Sequence, residues 1–135
     1  MMKQPSSRLI LWVAVVTFAL HNLEESSADF VGWGKQHLKI LESVSPAIAD
    51  NYWIVITTLS VLAVCIATVI QHRPAVIRRT LRWFAPLMIG VSVWHIGVSL
   101  WAGSAQPGVW TALFLNMPVY TYLTYLAYSR RGPRP

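Results

Sequence analysis

Three stretches of this chain are too long and too apolar to belong to the core of a small soluble domain. Tyr52 to Ile70 runs nineteen residues without a formal charge, and Val109 to Tyr128 runs twenty. Trp83 to Trp101 is another nineteen, with His95 as its only ionisable group. At about 1.5 Å of rise per residue, each run can cross a hydrocarbon core of roughly 30 Å as a helix. Composition agrees: 55% of the 135 residues are hydrophobic and 12% charged, about half the charged share (~25%) of a soluble domain. The sequence predicts an all-α, single-domain integral membrane protein.

A fourth run, Leu9 to Leu20, is short alone, but continued to Glu25 it gives about 25 Å of helix. The expected fold is a four-helix transmembrane bundle with spans at about 9–25, 52–70, 83–101 and 109–128. Basic residues set its orientation. Lys3 and Arg8 precede the first span, Arg73, Arg78, Arg79 and Arg82 separate the second from the third, and Arg130, Arg131 and Arg134 follow the last. Only Lys35 and Lys39 lie on the other side. The positive-inside rule then puts both termini of a multi-pass protein in the cytoplasm.

The net charge of +6 is distributed along span ends instead of being gathered on one face, so nucleic acid is excluded as a partner. A cleaved signal peptide is the competing reading of the N-terminus, with Ser26-Ser27-Ala28 as its cleavage site. His21, Glu24 and Glu25 make an unsuitable cleavage region, which argues against it. Cys65, the only cysteine, is read as a small hydrophobe within the second span.

The stretch from Ser26 to Asn51 is too polar to span. Leu38, Leu41, Val44 and Ile48 recur there at helical spacing, which predicts a short amphipathic external segment ending near Pro46. It is read as an interfacial segment, with a lid as the alternative, and His37 and His72 are read as solvated loop residues. On the inner side, Gln71 to Arg82 reads as a basic amphipathic stretch with a helix start at Pro74, suited to anionic lipid headgroups.

The chemistry-bearing feature is His21-Asn22-Leu23-Glu24-Glu25, at the outer end of the first span. Residues three and four apart share a helix face, so His21, Glu24 and Glu25 are expected to project together. Ionisable groups at membrane depth cost several kcal/mol unless paired, and they are usually functional. His21 stands thirteen residues beyond Arg8, and His95 stands thirteen beyond Arg82. Both would lie about 10 Å below the external boundary. Asn116, seven residues in from Val109, is expected in the same layer, as are Thr57, Thr58 and Ser60. Pro118 is expected to kink the last span beside the site. Tyr120 is read as packing or aromatic belt before pocket lining.

These residues resemble the HXXEE family of small, poorly characterised membrane proteins. The match is His21, Glu24 and Glu25, with His95 and Asn116 similar to that family's further polar positions. The resemblance implies an active-site-like cluster and supplies no reaction.

Three functional readings follow from the chemistry. The first is a metal-dependent enzyme on a lipidic or other hydrophobic small molecule. His21, His95 and Glu25 would be the ligands of a divalent ion such as zinc, Glu24 the general base and Asn116 an orienting or oxyanion donor. The second is metal-free proton transfer, as in isomerisation or cyclisation, with a carboxyl and a histidine as acid and base. The third is a proton-coupled transporter or small-ligand-binding protein, for which four short spans would need a homo-oligomer to build a path. A purely structural role, with Glu25 pairing His21, stands against all three. An intramembrane enzyme in contact with membrane lipids is the expectation, with the transporter as runner-up.

Overall fold

In the computed structural model, residues 5–38, 47 and 50–129 are described, and the elements among them are helical. The first helix, α1, spans Ser7–Ser27 and starts on a Ser6 cap whose Oγ accepts from Leu9 N–H at 3.2 Å. A short helix, α2 (Phe30–His37), follows directly and is capped by Asp29, whose carboxylate accepts from Gly32 N–H. Helix α3 covers Tyr52–Ile70, the predicted second run. Among the described residues, three helices are long and apolar enough to cross a membrane: α1, α3 and the helix Pro74–Ala102.

Helix α4 runs Pro74–Ala102 as one rod of 29 residues. The predicted inner amphipathic stretch and the third span are therefore a single helix. Pro74 sits in its first turn, where the missing N–H costs nothing, and Gly103 closes it at φ +62°. The last apolar run divides into α5 (Val109–Thr111), a π-helical turn over Ala112–Asn116 and α6 (Met117–Tyr128). Pro118 lies in the first turn of α6. The irregularity expected at Pro118 is a widened turn just before it, where the i→i+5 pattern absorbs the missing donor.

The core sits between α1, α4 and α6, and α3 packs mainly along α1. Ile77, Leu81, Ala85, Ala14 and Leu123 fill it. Tyr120 belongs to that core and is fully buried; its hydroxyl donates to Ala14 O at 2.8 Å and ties α6 to α1. At the end of the bundle away from His21, Arg78 donates to Ala127 O and Ser129 O, and Arg82 donates to Ala127 O. Two arginines expected to anchor lipid headgroups thus cap the carbonyls that α6 leaves unpaired. Cys65 is exposed on α3.

Most of the predicted amphipathic segment (Leu41, Val44, Pro46 and Ile48) lies outside the described residues. What is described of the external stretch is α2, which the apolar spacing did not indicate. His37 closes that helix, its ring stacked on Trp33 at 4.5 Å and its Nδ1 bonded to Trp33 O at 2.9 Å. It is a helical residue, where a solvated loop position was expected. His72 is exposed in a turn, as expected.

Candidate metal centre

Helix α1 delivers His21 and Glu25 one turn apart on its buried face, and α4 brings His95 against them. All three are buried. Glu25 Oε1 stands 3.0 Å from His95 Nε2 and 3.6 Å from His21 Nε2. The two imidazole rings meet edge to face at 4.8 Å between centroids. One ligand atom from each residue lies within 4.8 Å of the others, a group that could hold a metal ion.

Hydrogen bonds around His21 fix its tautomer. Thr111 Oγ1 donates to Gly108 O at 3.2 Å, which commits its only proton. It therefore accepts from His21, whose Nδ1 lies 2.8 Å away. In the neutral ring, with its proton on Nδ1, His21 Nε2 carries a lone pair facing Glu25 Oε1, and it has no hydrogen-bond partner among the described residues. Two lone pairs facing each other in a buried site call for a cation between them, a proton or a metal ion. A tetrahedral zinc with bonds of about 2.0–2.1 Å sets its ligands about 3.4 Å apart, and the two histidine–Glu25 separations, 3.0 and 3.6 Å, fall on either side of that value. An oriented imidazole N–H is also the usual outer partner of a metal-bound histidine.

Further groups complete the enclosure. Tyr52 on α3 donates its hydroxyl to Glu25 Oε2 at 2.9 Å, leaving Oε1 for the histidines. Phe30 of α2 stacks on Tyr52 at 5.3 Å and lies 6.0 Å from the His95 ring, so this short helix roofs the site. Trp33 Nε1 pins that roof to Ser104 Oγ at 3.1 Å. Gly108 forms one wall at φ +90°; a Cβ there would stand 2.8 Å from His95 Cε1 and 3.0 Å from His21 Cε1.

Glu24, expected as the general base, is held by backbone groups of α5. Its two carboxylate oxygens accept from the backbone N–H groups of Trp110, at 3.2 Å, and Thr111, at 2.7 Å. Gly108, at the N-cap of α5, has no side chain to do this. A carboxylate from another helix thereby satisfies two orphan donors at the positive end of the fourth helical run.

Asn116 does not stand in the layer of the histidines. The helical run that begins at Val109 starts at the level of the histidines, below the boundary expected there. Thr111 meets His21, and Asn116 lies about 7 Å further in. It is fully buried in the π turn, and neither atom of its amide has a partner among the described residues. Of the span-two hydroxyls expected in this layer, Ser60 meets α1, through Asn22.

Gly108, Thr111, Tyr52 and Asn22 escaped the sequence reading. Gly108 reads as half of a Pro-Gly turn, and Tyr52 as an interfacial aromatic. Had span four been started one turn deeper, Thr111 would have fallen beside His21.

A family model described as a protein of unknown function with HXXEE motif matches residues 12–123. No curated protein and no solved structure matches the chain.

Proposed function

The chain belongs to the HXXEE family, and we propose that it is an intramembrane enzyme acting on a lipidic substrate at a metal held by His21, Glu25 and His95. The observation that carries this reading is the convergence of His21 Nε2, His95 Nε2 and Glu25 Oε1 in a buried, roofed site, with the His21 lone pair turned inward by Thr111. Two histidines and one carboxylate, with a fourth position free for water or substrate, form the ligand set of many catalytic zinc sites. A bound metal supplies Lewis acidity and a water acidified towards neutral pH.

The protein groups have separate tasks in this reading. Thr111 holds the His21 ring and its tautomer. Tyr52 holds Glu25 and presents a hydroxyl at the site's edge. Glu24 fixes the start of the last helical run, and with it Gly108 and Thr111, so it is a positioning residue. Asn116 lies deeper in the bundle, fully buried, with its amide unpaired among the described residues. We read four spans with both termini cytoplasmic, supported by the arginines at the inner ends of α3, α4 and α6.

The test is turnover by the purified protein in lipid nanodiscs loaded with a total membrane lipid extract, followed by mass spectrometry. The expected result is a lipid consumed before chelation, spared after it and consumed again on zinc addition. Turnover that survives chelation would replace the metal with acid–base chemistry at the same residues. Proton flux without any lipid conversion would favour the transporter.

A further inference from the structure

The seam between α1 and α3 holds a second polar feature, facing the bilayer and apart from the histidines. Asn22 is buried at 6% exposure. Its Nδ2 donates to Ser60 Oγ at 2.9 Å, with a longer contact to Ile56 O at 3.5 Å. Ser60 passes its own proton to Ile56 O at 2.9 Å. The amide nitrogen is satisfied, but no described residue donates to Asn22 Oδ1. Beside it lies a cavity of about 230 Å³, lined by Asn22, Ser26, Thr57 and Ser60 together with Ala19, Leu23 and Ile56. The Thr57 hydroxyl likewise has no hydrogen-bond partner among the described residues.

A polar slot at membrane depth with a spare acceptor and a spare hydroxyl is costly unless something pairs with it. Its lining carries no charged side chain. A phosphate headgroup would set its oxygens against Asn22 Oδ1, and an ammonium would be desolvated without a countercharge. A neutral hydroxyl fits both groups, donating to Asn22 Oδ1 and accepting from Thr57 Oγ1.

We propose that this slot seats the headgroup of an uncharged lipid alcohol, which is the substrate class of the enzyme. The inference rests on the enzymatic reading above and deepens it. Tyr52, Ile56 and Ser60 recur every fourth residue along one edge of α3. Tyr52 meets Glu25, while Ile56 and Ser60 meet Asn22. Asn22 and Glu25 are three apart on α1, so a lipid entering from the bilayer through this seam brings its hydroxylated end one helical turn from Glu25.

The test separates binding from chemistry. Chelator-treated wild-type protein in nanodiscs is photolabelled with a diazirine-bearing diacylglycerol, and the labelled peptides are mapped. Expected are labels in α1 near Ala19 and in α3 near Thr57, displaced by unlabelled dioleoylglycerol and not by dioleoylphosphatidate. Ala19→Phe fills the slot and should remove the labelling. Thr57→Val, near-isosteric and on an exposed position, should weaken competition about fivefold, the equivalent of one hydrogen bond. Both variants should keep the wild-type metal content. Labelling unchanged in Ala19→Phe, or displaced equally by the phosphatidate, overturns the proposal. Because the metal is absent during labelling, that result is independent of whether the centre is catalytic.

Discussion

Gly108 lies so close to His95 that a Cβ on the glycine would stand 2.8 Å from the ring's Cε1. Its φ of +90° adds a backbone cost for any L side chain. Gly103 also has positive φ, +62°, but a Cβ there meets nothing within 4 Å. Gly103→Ala should therefore cost about 1 kcal/mol of stability, from strain alone. Gly108→Ala should cost about 1–3 kcal/mol and also displace the His95 and His21 rings. Thermal unfolding of the two variants, beside their zinc content, separates strain from damage to the site. Equal behaviour would mean that Gly108 is only a turn residue.

Glu24 is the motif residue whose structural role departs most from expectation. Because it accepts from Trp110 and Thr111 N–H, Glu24→Ala should destabilise the protein by about 1–2 kcal/mol, the scale of a lost cap. Glu24→Gln keeps one accepting oxygen and should lose less. Both should retain bound metal. A Glu24→Gln protein of wild-type stability that binds metal but cannot turn over would restore the general-base role.

Thr111→Val removes the acceptor that holds His21 Nδ1–H while keeping the side chain's shape. Losing such an outer partner typically weakens metal affinity about 10–100-fold. Competition with a zinc-binding dye should show that loss with little change in thermal stability. Unchanged affinity would mean that the tautomer is set elsewhere.

Much of the architecture was legible in the sequence. The run from Tyr52 to Ile70 needed only length and the absence of charge, and His21 and His95 were matched by counting from Arg8 and Arg82. Counting failed for Asn116 because the last helical run starts inside the assumed boundary, a tertiary fact that Glu24 stabilises from another helix. Glu24 and Glu25 look alike in the motif, yet one residue of helical rotation sends them to different partners. The α2 roof was missed because Phe30–His37, with Gly32 and Gly34, has no long apolar stripe; contacts from Phe30 to Tyr52 and from Trp33 to Ser104 hold it in place.

The orientation is tested by cysteine accessibility in a Cys65→Ser background. Lys35→Cys, on α2, should react with an impermeant maleimide added outside intact cells. Arg79→Cys, exposed near the start of α4, should react only after permeabilisation. Labelling of both from the same side would contradict the four-span topology.

Elemental analysis shows whether His21, Glu25 and His95 hold a metal. Wild type and Glu25→Gln would be purified without chelators, incubated with equimolar zinc, desalted and analysed, with size-exclusion profiles confirming that both remain folded. The account predicts about one zinc per chain in the wild type and almost none in Glu25→Gln. Equal zinc in the two proteins, or none retained by the wild type, would contradict it.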